Sequence, residues 1–153
     1  IFSDKLNTDF AGDFNFFCYR NQIDKSQHFA IVKGNIAEEE TTLVRVQKIN
    51  YVSDLFKGNL ATKRGNTSSI ERAMIEIDKN KSGVLVIIND NNLAEFSSKT
   101  EDQIATSELR EYGIGAQILR DLGVRKMLLL TNSKQEIIGL EGFDLKVIEK
   151  RSI

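Results

Sequence analysis

The chain has 153 residues, 41% of them apolar, which is enough to bury a sizeable core in a single globular domain. Its 21 basic and 22 acidic residues leave a formal net charge of −1, so there is no electrostatic reason to expect non-specific nucleic-acid binding. No apolar stretch approaches the roughly 20 residues needed to cross a bilayer, and no basic segment followed by an apolar one opens the chain, so the cytoplasm is the expected location and no membrane partner is expected. The start at Ile1 rather than Met reads as an excised piece with a partner domain upstream.

Taken in order, Asp13–Arg20, Gln27–Lys33 and Thr41–Gln47 carry apolar and β-branched residues between turn signals at positions 21–26 and 34–40. That spacing predicts an antiparallel meander of three strands. Within the first, Phe14, Phe16 and Cys18 share a face, so Cys18 is expected to be a small buried hydrophobe; as the only cysteine it allows no internal disulfide and no Cys cluster for a structural zinc. Glu38, Glu39 and Glu40 read as a solvated turn, with cation binding as the less favoured alternative. Over 67–79, Ile70, Ala73, Met74 and Ile77 recur at helical spacing, with Thr67, Ser68 or Ser69 available as the N-cap.

Gly83 introduces the β-branched run Val84–Ile88, expected to be a strand buried on both faces. A polar stretch, 89–102, reads as loop. Beyond it come a helix over 107–122, a strand over 126–131, a short helix near 134–140 and a strand over 145–149, the βαβ alternation of parallel sheets. Leu109, Tyr112, Ala116 and Leu119 form the buried stripe of the long helix. Gly113 and Gly115 each cost up to about 1 kcal/mol against Ala in a helix interior; close packing and a ligand's approach are both open as reasons for them. Gly113-Ile-Gly115 lacks the preceding strand and third glycine of a dinucleotide fingerprint, and no serine, histidine and acid grouping of hydrolase type is visible.

The segment Tyr112-Gly-Ile-Gly-Ala-Gln-Ile-Leu119, with Gly12-Asp-Phe14, His28 to Ile36, Leu43-Val-Arg-Val46 and Gly139-Leu-Glu-Gly-Phe143, resembles GTP cyclohydrolase II over nearly the whole chain. The resemblance implies an α/β fold with an N-terminal antiparallel meander followed by βαβ units. It also implies a zinc- and magnesium-dependent opening of the guanine imidazole ring, and a homodimer. The family's Asp-x-Arg pair, proton acceptor and proposed nucleophile, appears as Glu108-Leu-Arg110, and the arginine of the Leu43–Val46 strand and the family's Thr after the later strand are present as Arg45 and Thr131.

The departures are as specific as the matches. Where the family continues His-Ser-Glu-Cys, with the first zinc ligand, this chain has Gln47-Lys-Ile-Asn50, and the region of the family's Cys-Asp-Cys-Gly reads Thr62-Lys-Arg-Gly-Asn-Thr67. The family's Arg-Gln-Glu-Gly-Arg is replaced by Asn89-Asp-Asn-Asn-Leu93, and Thr-Asn-Asn-Pro-Lys-Lys by Thr131-Asn-Ser-Lys-Gln-Glu136.

Hydrolytic ring opening needs a water made nucleophilic near neutral pH, which a zinc with three protein ligands provides by lowering the water pKa to roughly 7. With one Cys and one His, His28, in the chain, that ligand set cannot be assembled, and no metal cofactor is expected. Glu108 and Arg110 are then vestigial catalytic positions. Arg45, Arg110 and Thr131 either still bind a triphosphate, as guanidinium groups can, or persist as structural ion-pairing residues.

The expected function is a non-catalytic domain with a structural or regulatory role for a fused 3,4-dihydroxy-2-butanone 4-phosphate synthase domain in riboflavin biosynthesis. Residual binding of GTP or a related nucleotide, or residual ring opening, is the alternative.

Overall fold

The computed structural model describes residues 2–38, 40–49, 69–89, 101–131 and 144–152, the side chains of 101–110 excepted. Among the described residues, seven strands form one sheet with a helix on each face. Strands β1 (Phe2–Thr8), β2 (Gly12–Arg20) and β3 (Gln27–Lys33) make an antiparallel meander. A short 3-10 turn at Ile36–Glu38 leads to β4 (Thr41–Lys48), followed by α1 (Ser69–Asn80), β5 (Gly83–Ile88), α2 (Glu101–Asp121), β6 (Lys126–Leu130) and β7 (Lys146–Arg151).

The spatial order is β1-β2-β3-β5-β4-β6-β7. The expected meander is therefore displaced by one strand. Its third member is not Thr41–Gln47, which runs parallel to both β5 and β6 as β4, and its first is Phe2–Thr8. Alternation identifies a strand but not its neighbour, and here β5 returns by way of α1 to insert between β3 and β4. Strand β1 escapes a reading by hydrophobicity because it is an edge strand exposed on both faces, with Phe2 60% exposed.

Helix α2 begins at Glu101, within the stretch expected to be loop and six residues before the expected start. The short helix near 134–140 lies outside the described residues. Cys18 is half-buried rather than buried, because β2 is flanked by the exposed edge strand.

Alternate residues of the central strands feed two separate cores. Ala30, Val32, Val44, Val46, Val84, Val86 and Ile88 meet Ala116, Ile118 and Leu119 of α2, whereas Ile31, Leu43, Leu85 and Ile87 meet Ala73, Met74 and Ile77 of α1. Every residue of β5 is buried, as a strand covered on both faces requires. Two glycines permit this closeness. A Cβ on Gly83 would stand 2.8 Å from the Leu43 carbonyl oxygen, and one on Gly115 would stand 3.0 Å from Val46 Cγ1. Close packing thus accounts for Gly115.

Polar contacts tie the meander to the helices. Lys33 Nζ donates to the Ala11 carbonyl (2.7 Å) and Asp78 Oδ1 (2.5 Å) and lies 4.4 Å from the Phe14 ring centroid, joining β3 to α1. On the other face Tyr19 Oη donates to Asp121 Oδ2 at 2.9 Å.

Gly115→Leu is expected to lower stability by about 1–3 kcal/mol or more, because Val46 belongs to a strand wedged between two others and cannot retreat; a chemical denaturation midpoint equal to the parent's would contradict this. Burial, then the hydrogen bond and charge of Asp121, raise the Tyr19 phenol well above its ordinary value. The folded state therefore holds its proton where the unfolded chain releases it, and stability is lost as pH rises above about 10. In an alkaline absorbance titration a tyrosine transition displaced above the ordinary phenol range should be present in the parent and disappear in Tyr19→Phe.

Candidate functional site

The parallel strands β5-β4-β6 define a topological switch point. From β4 the chain crosses by α1 to β5 on one side, then by α2 on the other face back past β4 to β6. In open α/β sheets a crevice for ligands opens outside the carboxyl ends of the strands where the winding reverses, here between β4 and β6. The residues at that point are Gln47, Lys48 and Ile49 at the end of β4 and Leu130 and Thr131 at the end of β6.

Arg45 spans this gap. Its Nη1 donates to the Leu130 carbonyl at 3.0 Å and its Nε to Gln47 Oε1 at 3.1 Å. Gln47 is 9% exposed, and its Nε2 donates to Ser69 Oγ, at the first turn of α1, at 2.9 Å. The next residue turns to the opposite face, as strand alternation demands. There Lys48 Nζ lies 3.3 Å from Glu111 Oε1 of α2, with the two side chains only 19% and 15% exposed. The last turn of β4 therefore clamps both helices, one on each face.

Of the residues singled out from sequence, Arg45 and Thr131 are brought to the switch point. Thr131 is 5% exposed, and its backbone N–H donates to the Arg151 carbonyl at 2.9 Å. Glu108 and Arg110 lie on α2 within one turn of Glu111, which puts their backbone at the same end of the sheet. Their side chains, and all of Asn50, Thr62–Thr67, Asp90–Leu93 and Asn132–Glu136, lie outside the described residues. Sequence reasoning missed the Gln47 and Lys48 contacts, since both residues were weighed only as replacements for others.

One further grouping was not expected. Asp24, Ser26 and His28 come together around the β2–β3 turn, where His28 is 3% exposed. The Asn89 N–H donates to His28 Nδ1 at 3.1 Å, so in the neutral ring the proton sits on Nε2. Nε2 then donates to Ser26 Oγ (2.8 Å), whose own hydrogen goes to Asp24 Oδ1 (2.6 Å). A hydrolase triad runs the other way, from hydroxyl to imidazole, so this relay does not activate Ser26. It holds the backbone where the chain leaves β5.

The family model described as GTP cyclohydrolase II matches residues 1–152. The chain belongs to the GTP cyclohydrolase II family. It is 37% identical, over 95% of its own length and 40% of the relative's, to the riboflavin biosynthesis protein RibBA of Bacillus cereus. It is 38% identical to a 3,4-dihydroxy-2-butanone 4-phosphate synthase of Photobacterium phosphoreum, with the same coverage. Among solved structures, RibBX of A. baumannii, described as a two-domain 3,4-dihydroxy-2-butanone 4-phosphate synthase, matches with a TM-score of 0.71 at 30% identity, over 100% of this chain and 40% of that one. The chain spans about 40% of the length of these relatives.

The thiolate zinc centre that the family resemblance implies does not fit these residues. The one cysteine, Cys18, lies in β2 between Phe2 and Phe29, three strands from β4 and so roughly 14 Å away at about 4.8 Å per strand. The one histidine has both ring nitrogens engaged. Among the described residues no group of three or more His, Cys, Asp or Glu gathers as a metal site.

Replacing His28 with Ala is expected to destabilise the fold by about 1–3 kcal/mol by stranding the Asn89 N–H. Exchange of the Asn89 amide proton should speed up beyond what the global stability change explains. Unchanged exchange there would show that the imidazole does not hold this backbone.

Proposed function

We propose that this is a GTP cyclohydrolase II-like domain of a cytoplasmic riboflavin biosynthesis protein that has given up zinc chemistry. It serves a fused 3,4-dihydroxy-2-butanone 4-phosphate synthase domain as a structural or regulatory, dimer-forming partner. The observation that carries this is the donor set: one thiol and one imidazole in 153 residues, the thiol in the meander and the imidazole committed at both nitrogens. Ring opening without a metal-activated water would leave the attack on the imidazole carbon to neutral water, which the metal otherwise makes competent near pH 7.

Two facts support the role for a fused partner. The relatives extend well beyond the matched region, and two of them are described as 3,4-dihydroxy-2-butanone 4-phosphate synthases. A domain that keeps its core and its helix clamps while lacking the ligands of its family's metal is suited to assembly rather than turnover.

The test is made on the full-length protein. Metal analysis should find no stoichiometric zinc in this domain, and incubation with GTP should release no formate above a protein-free control. Removing the domain should change the synthase's oligomeric state or its thermal midpoint. About one zinc per chain in this domain with formate release would overturn the loss of chemistry; a truncated synthase with unaltered assembly, stability and kcat/KM would overturn the partner role.

A further inference from the structure

The contacts at the end of β4 reach beyond loss of the metal. An arginine at a switch point is a ready anion subsite, because its planar array of N–H donors pairs bidentately with phosphate oxygens. In this chain two of those donors are engaged within the protein. Nη1 is directed to the Leu130 carbonyl at 3.0 Å and Nε to Gln47 Oε1 at 3.1 Å. The assignment of Gln47 is forced by chemistry: Arg45 only donates, so the Gln47 atom facing it is the oxygen, and the amide nitrogen is left to donate to Ser69 Oγ at 2.9 Å.

Each link is held from both ends. Gln47 is 9% exposed, and its carboxamide is fixed by Arg45 on one side and by α1 on the other. Rotating it away would strand a buried amide, which is costly unless a new partner is supplied.

We infer that Gln47 is a built-in occupant of the Arg45 anion subsite, its amide oxygen standing where an oxygen of a phosphate ester or pyrophosphate would sit, with Ser69 as the residue that holds it there. This rests on the non-catalytic reading above and adds a cause for it, independent of zinc: two of the Arg45 donors, Nε and Nη1, are engaged within the protein. The lock is a single amide, so it is reversible by a single substitution. Lys48, held by Glu111 on the opposite face, stiffens the same turn of β4 but does not address Arg45.

The experiment is calorimetric titration of inorganic pyrophosphate at low salt into the full-length protein, three single variants and two double variants. Gln47→Ala and Ser69→Ala should bind at least about tenfold tighter than the parent, the factor that one charge-assisted hydrogen bond typically contributes. Adding Arg45→Ala to either variant should abolish the gain. Lys48→Ala should show no gain, which separates release of Arg45 from general loosening of the strand. Ser69→Ala leaves Gln47 in place, so the test survives if Gln47→Ala fails to fold.

Equal affinities for the parent, Gln47→Ala and Ser69→Ala would overturn the inference while leaving the non-catalytic reading intact. A gain shared by Lys48→Ala, or one that persists without Arg45, would overturn it as well. Formate release from GTP by the parent protein would instead overturn the reading on which it rests.

Discussion

Strand β4 is the element on which the rest depends, because it lies where the winding of the sheet reverses, hydrogen-bonded in parallel to β5 on one edge and β6 on the other, and packs against a helix on each face. Its alternation sorts the molecule into layers: Leu43 toward α1, Val44 and Val46 toward α2. Beyond its exposed first residue, Thr41, the strand has no solvent face, so its side chains must find either an apolar neighbour or a polar partner. Leu43, Val44 and Val46 do the first. Arg45, Gln47 and Lys48 do the second, and the second group sits where the sheet's winding reverses.

That position creates a competition between stability and ligand recognition. Buried polar groups are costly when unpaired, and a binding site lined with them is satisfied only when its ligand is present. Gln47 and Lys48 meet the requirement without a ligand, by reaching Ser69 and Glu111. Glu111 immediately precedes Tyr112–Leu119, the segment that most strongly carries the family resemblance, and here it closes an ion pair with β4. The same end of the sheet is thus organised as a clamp between two helices.

The meander plays a different part. Its edge strand β1 contributes little to the core, and the meander is held by Lys33 on one face and Tyr19 on the other. Its inner end supports the chain where it leaves β5, through His28 and Asn89, so that the first residue beyond the central strand is positioned by the β2–β3 turn. This gives the single histidine a structural task that engages both of its ring nitrogens.

The sequence by itself determined the type of most of the described elements, strand β1 and the first six residues of α2 excepted. The helical spacing of Ile70, Ala73, Met74 and Ile77, the unbroken run Val84–Ile88 and the stripe through Ala116 and Leu119 all correspond to observed elements, because local periodicity records which faces are buried. It also determined the family, through Tyr112–Leu119, and the poverty of metal donors, which is a matter of counting. Neighbour relations were decided only by the tertiary structure. Thr41–Gln47 looked like a third meander strand because a strand carries no label for its partners, and the choice between antiparallel and crossover pairing rests on contacts with α1 and β5 that are distant in sequence. The partners of Arg45 were illegible for the same reason: its guanidinium meets Gln47, which in turn meets Ser69, 22 residues away in the chain, and only folding brings them together.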